Sequence, residues 1–156
     1  MPLVDKPYSP ESAPVLIIDD HPGDIELTRQ VLKLSGHFKQ IYSADSADEA
    51  LNSYREFLAD PKAHSWSSLP SLVFLDIWMP VKTGHEFLKE FGELRECHEL
   101  NSVVVAMLSS SSAAMDREKS FEFEFVVDYL VKPLGMSDVD QVRSGADQFF
   151  KMSHKS

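Results

Sequence analysis

Four short, mainly apolar runs punctuate the chain: Val15–Ile18, Leu72–Leu75, Val103–Leu108 and Val126–Val131, the last carrying Asp128. Such a run has no polar face to offer water, so it suits a strand covered on both sides, as in a parallel sheet. Phe38–Ser43 is more polar and suits an edge strand. Helical periodicity fills the intervals. Ile25, Thr28 and Leu32, with Leu27, Val31 and Leu34, make a wide apolar stripe that stops at Gly36. Ala47, Ala50, Leu51, Tyr54 and Phe57 follow Ser46, with Glu49 completing a capping box. Thr83 and Glu86 form a second box ahead of Phe87, Leu88, Phe91 and Leu94. Val139, Val142, Ala146 and Phe149 follow Ser137. From Ser111 to Phe125 the pattern divides: its start is helical, while Phe121, Phe123 and Phe125 alternate with Glu122 and Glu124. That alternation fits either a strand or an irregular helix end. The expectation is a doubly wound α/β fold: five parallel strands flanked by five helices.

The chain has 156 residues, enough for one domain. Residues 1–13, broken by prolines, are expected to be a flexible lead-in; 14–150 form the domain, and 151–156 a short polar tail. Fifteen basic against 25 acidic residues leave a net charge of −10, which argues against non-specific nucleic-acid binding. Cys97 is the single cysteine, so no internal disulfide or multi-cysteine metal framework is expected. No run of 18 apolar residues and no basic-then-apolar leader is present, so neither a membrane span nor a signal peptide is expected. The expected location is the cytoplasm.

In doubly wound sheets, ligands bind beyond the carboxyl ends of the strands. Asp19 and Asp20 follow Ile18, Asp76 follows Leu75, Ser109 follows Leu108, and Lys132 with Pro133 follows Val131. Three acids, a hydroxyl and a lysine therefore converge on one edge. Clustered carboxylates repel, and a hard cation with oxygen ligands, Mg²⁺, relieves them. Lys132 and Ser109 can hold an oxyanion. The pattern is that of a metal-plus-phosphoryl site with a carboxylate nucleophile.

The order of five pieces resembles the receiver domain of two-component response regulators, of the stand-alone type: LIIDD ending at Asp20, LDIWMP over Leu75–Pro80, Gly84, MLS ending at Ser109, and YLVKP over Tyr129–Pro133. The resemblance spans roughly 14–150 and implies a flavodoxin-like sheet of strand order 2-1-3-4-5. It implies that Asp76 accepts a phosphoryl group from a histidine kinase or phosphotransfer protein. Mg²⁺ would be held by Asp19, Asp20, Asp76 and the backbone carbonyl of Trp78. Ser109 and Lys132 would bind the phosphoryl oxygens, and Tyr129 would switch rotamer with Ser109 to alter a partner surface. A cis peptide before Pro133 is also implied. Two departures stand out. Thr83 takes a place where an acid is frequent, which its capping role explains. Ser109 replaces a frequent Thr but keeps the hydroxyl, with Ser110 as a rival.

Simpler readings attach to other residues. Asp19 and Asp20 alone would serve as helix N-caps. His21 is read as solvent-facing, His85 and His98 as surface residues, Cys97 as half-buried, and Trp66 as the anchor of the 60–70 loop. The Phe121/Phe123/Phe125 stripe is read as packing. A Mg²⁺-dependent phosphohydrolase is disfavoured, because Trp78 stands where a second Asp would act as general acid. Flavin binding is disfavoured, because Asp19 and Asp20 would repel a phosphate. A degenerate scaffold is disfavoured by the complete acid, hydroxyl and lysine set.

Overall fold

A computed structural model describes residues 14–98 and 100–153. Its elements run β1 (Val15–Ile18), α1 (Pro22–Ser35), β2 (Ile41–Ala44), α2 (Ala47–Ala59), a 3₁₀ turn at Pro61–Ala63, β3 (Leu72–Leu75), α3 (Gly84–His98), β4 (Val104–Ser109), α4 (Ala114–Ser120), β5 (Val126–Val131) and α5 (Met136–Ser153). The strands form one sheet in the order β2-β1-β3-β4-β5, with every pairing parallel. This is the doubly wound topology expected from the alternation of runs.

The strand faces explain the continuous apolar runs. Leu16 and Ile18 face a core built with Ala50, Leu51 and Tyr54 of α2 and Phe87 and Phe91 of α3. Val15 and Ile17 face the opposite core, which takes Leu32 of α1 and Val139, Val142 and Ala146 of α5. Every residue of β1 and β3 is buried, so alternation along these strands sorts residues between two cores rather than between core and water. Strand β2 lies at the edge and is half-exposed. Arg29 of α1 lies over it, donating to the Ile41 carbonyl at 2.8 Å and to Ser43 Oγ at 3.0 Å. That cover occupies polar groups at a sheet edge that would otherwise invite pairing.

Several local expectations change. The Phe38–Ser43 strand begins later, at Ile41, although Phe38 is buried. Leu27 and Leu34 of the α1 stripe are exposed, because the sheet covers only the Thr28–Leu32 side. The divided 111–125 segment is the short helix α4 followed by turns, not a strand. Helix α5 begins at Met136, ahead of Ser137, and Asp138 reaches back to accept from the Gly135 N–H at 2.8 Å. Cys97 is exposed, near the end of α3, rather than half-buried. His85 is buried between α3 and the end of α4, with Nε2 2.9 Å from Ser120 Oγ. Helix α5 continues through Lys151 and Met152 to Ser153, where a polar tail was expected. The lead-in of 1–13 and residues 154–156 lie outside the described residues.

The capping boxes hold. Ser46 Oγ accepts from the Glu49 N–H at 3.1 Å, and Glu49 accepts from the Asp45 N–H at 3.1 Å. At Thr83 both halves close: Thr83 Oγ1 accepts from Glu86 N–H at 3.2 Å, and Glu86 accepts from Thr83 N–H at 3.0 Å. Trp66 anchors its loop as expected, packed among Tyr42, Tyr54, Phe57 and His64. Among the described residues, no helix is long and apolar enough to cross a membrane.

Candidate functional site

The parallel register brings the ends of β1, β3 and β5 to one edge. The Asp76 N–H donates to the Ile18 carbonyl at 3.0 Å, and the Lys132 N–H to the Ser109 carbonyl at 2.8 Å. These bonds extend the ladder one residue past each strand and so fix the side chains that follow. Gly84 closes the floor. A Cβ there would collide with the Asp76 carbonyl oxygen, and the Gly84 N–H donates to the Ile77 carbonyl at 2.7 Å. Only glycine lets α3 start this close to the strand end.

Asp19, Asp20 and Asp76 each place a carboxylate oxygen within 4.8 Å of the others. Asp19 and Asp76 are buried, and Asp20 is half-buried at the rim. Three hard oxygen donors at this spacing fit a small divalent cation with water completing its shell. Lys132 Nζ lies 2.7 Å from Asp19 Oδ2, 2.9 Å from Asp24 Oδ2 and 3.5 Å from Asp76 Oδ2. Burial alone would favour a neutral amine. The bonds to Asp19 and Asp24, with Asp76 close by, outweigh it and raise the Lys132 pKa above the ordinary lysine value. Asp76 is pushed above the usual carboxylate value, first by burial and also by Asp19, against the pull of Lys132. A carboxylate so placed is nucleophilic when ionised and gains from any cation that joins it.

Ser109 is the last residue of β4 and fully buried, whereas Ser110 is exposed. The Ser109 hydroxyl accepts from the Ser111 N–H at 3.2 Å. Tyr129 points inward, 6% exposed, and its hydroxyl donates to the Ser111 carbonyl at 2.7 Å. One short loop thus contacts both Ser109 and Tyr129. The Lys132–Pro133 peptide is cis. Trp78, two residues after Asp76, is 58% exposed. His21 is exposed, and its backbone N–H donates to Asp19 Oδ1 at 3.0 Å. The next loop residues are held by Lys82, whose ammonium bridges Asp48 of α2 and Glu90 of α3.

Asp24 went unrecognised in the sequence. It is an ordinary-looking acid in the first turn of α1, and only the β1–β5 topology shows that this turn faces Lys132. Its one available signal is its position five residues after the Asp19 strand end, on the helix that must begin above the pocket.

Comparison with known proteins agrees with this geometry. Residues 15–143 match the response regulator receiver domain family. Two-component response regulator ARR6 of Arabidopsis thaliana is 30% identical over 136 residues, covering 86% of this chain and 69% of that protein. Response regulator Rcp1 of Synechocystis is 28% identical over 145 residues, covering 91% of this chain and 93% of Rcp1. A crystal structure of a two-component response regulator from Cytophaga hutchinsonii superimposes with a TM-score of 0.74 at 25% identity, covering 89% of this chain and 97% of that one.

Proposed function

The chain belongs to the response regulator receiver domain family, and from that premise we propose that it is a signalling phosphoacceptor in which Asp76 carries the phosphoryl group. The observation that carries this reading is the convergence of Asp19, Asp20 and Asp76 on one strand edge with Lys132 among them. A histidine kinase or phosphotransfer protein is the donor. An Asp76 carboxylate oxygen attacks the phosphorus in line, the P–N bond of the donor phosphohistidine breaks, and the imidazole leaves with the bonding pair and takes up a proton. Asp19, Asp20, Asp76 and the Trp78 backbone carbonyl are the Mg²⁺ ligands in this reading. Bound Mg²⁺ supplies positive charge that offsets repulsion between the incoming phosphoryl oxygens and the carboxylates. Lys132 holds one phosphoryl oxygen through its ammonium. Ser109 donates its hydroxyl to another, and leaving the Ser111 N–H frees the loop that Tyr129 also holds. Ser109 and Tyr129 therefore move together, and the α4–β5–α5 surface changes for a downstream protein partner. The remaining chemistry is self-phosphorylation from small donors and self-dephosphorylation, within a receiver unit spanning 14–150 of a cytoplasmic protein.

The test is incubation with Mg²⁺ and a small phosphodonor such as phosphoramidate, followed by peptide mapping. One labile adduct at Asp76, absent from Asp76→Asn, is expected. An adduct elsewhere, or one that survives the substitution, refutes the assignment.

A further inference from the structure

We infer that Asp24 is a positioning residue: it tethers Lys132 away from the phosphoacceptor and so sets how readily the lysine is handed to an incoming phosphoryl group. The inference rests on the phosphoacceptor reading of Asp76 and adds a residue to it. Lys132 has three N–H donors. Asp19 lies 2.7 Å and Asp24 2.9 Å from the nitrogen, close enough to occupy two of them, while Asp76 stands farther off at 3.5 Å. Asp24 comes from a different element than the other acids, the first turn of α1, and approaches from outside the carboxylate cluster. It is therefore not part of the cation cage, in which Asp19, Asp20 and Asp76 face one another. Its side chain is 37% exposed, so it can release the ammonium to water without leaving a buried charge behind. A phosphoryl group on Asp76 draws Lys132 inward, and the contact with Asp24 is what the lysine gives up. Asp24 thus opposes capture of the anion while keeping the lysine poised near the site.

The tether predicts a split that a merely structural role would not produce. Beryllium fluoride with saturating Mg²⁺ serves as the phosphoryl probe, and affinity is read by calorimetry. Asp24→Asn should bind beryllium fluoride about three- to fivefold more tightly than the parent, the factor expected for release of one partly exposed ion pair. Affinity for Mg²⁺ alone should not rise. Asp24→Glu, which keeps a carboxylate on the same turn, should stay near the parent. Glu26→Gln removes the same charge two residues along α1, from a side chain paired with Arg29 at 3.7 Å, and separates a tether from a general field. If Glu26→Gln matches the gain of Asp24→Asn, the effect is a field effect and the tether is wrong. Unchanged or weaker beryllium fluoride binding in Asp24→Asn also overturns it. Failure of the parent itself to bind the probe overturns the phosphoacceptor reading along with the tether, whereas binding in the parent without the Asp24 split removes the tether alone.

Discussion

Replacing Asp76 by Asn should make the metal-free protein more stable, although it removes the proposed acceptor. Asp76 shares its pocket with Asp19 and Asp20, at carboxylate separations within 4.8 Å. At an effective dielectric near 20, each such neighbour repels the Asp76 charge by about 3.5 kcal/mol. Lys132, 3.5 Å away, returns about 4.7 kcal/mol on the same scale. Burial of the carboxylate is the largest cause of the raised Asp76 pKa, and these charges leave the ionised form with a further net penalty of about 2 kcal/mol. Asn keeps the shape and sheds the charge, while Lys132 keeps Asp19 and Asp24 as partners. In EDTA the thermal midpoint of Asp76→Asn should rise by roughly 4–8 °C, the range that about 2 kcal/mol gives for a chain of this size. Added Mg²⁺ should stabilise the parent by mass action and the variant much less, so the two melting curves converge or cross.

The pH dependence has a defined sign. Folding raises the Asp76 pKa above 3.8, so between the two values the folded state binds more protons than the unfolded one. The parent therefore recovers stability as pH falls through the raised value, and loses it again as pH rises. The variant lacks this gain. A midpoint for Asp76→Asn at or below the parent in EDTA would refute the electrostatic account.

Other outcomes follow from neighbouring residues. Burial, reinforced by Lys119, holds the His85 pKa below its usual 6.5; the unfolded chain takes up the proton first, so stability should fall as pH drops below that value, and His85→Gln should flatten this limb in a series of melts. Val81 is a β-branched residue at φ 69° and is 94% exposed, so Val81→Asn should raise the unfolding free energy by about 1 kcal/mol in denaturant titration, and a loss would contradict the strain. Trp78, two residues after Asp76, is largely exposed; if its indole excludes attacking water, Trp78→Asn should shorten the phosphoprotein half-life about tenfold, equivalent to about 1.4 kcal/mol of barrier. An equal or longer half-life removes the shielding role.

The sheet and the carboxylate cluster were legible because both depend on strands buried on two faces. An uninterrupted apolar run can hardly sit elsewhere, and the first polar residue after it must emerge at the sheet edge. Asp19 and Asp76 stand in this position, and Lys132 does so after a run that carries Asp128. Helix faces were harder to read, because periodicity marks a stripe without saying how much of it a neighbour covers. Leu27 and Leu34 share the α1 stripe with Leu32, yet they border a cleft of about 320 Å³ beside Pro133 and Leu134 instead of entering the core. His85 shows the converse. Nothing local distinguishes it from a surface histidine, and its burial is decided by Ser120, thirty-five residues away. Asp24 was missed for the same reason, since its partner Lys132 is 108 residues distant. The phenylalanine alternation left strand and irregular helix end open, and the second holds: Phe123 and Phe125 pack on each other in turns and Arg95 stacks on Phe125 at 4.4 Å, contacts that need no strand.

The two tryptophans occupy opposite surroundings, and that gives the protein an optical readout of its own. Trp66 is 5% exposed, wedged among rings with Tyr54 5.0 Å and Tyr42 5.9 Å from it. Its emission should be blue-shifted, fed by energy transfer from those tyrosines, and indifferent to soluble quenchers. Trp78 is open to water two residues from Asp76, so its emission should be red-shifted and reached readily by iodide or acrylamide. Quenching therefore separates the indoles without any label. A change confined to the quenchable fraction reports on the strand-end pocket, and one confined to the protected fraction reports on the aromatic cluster beneath the 60–70 loop.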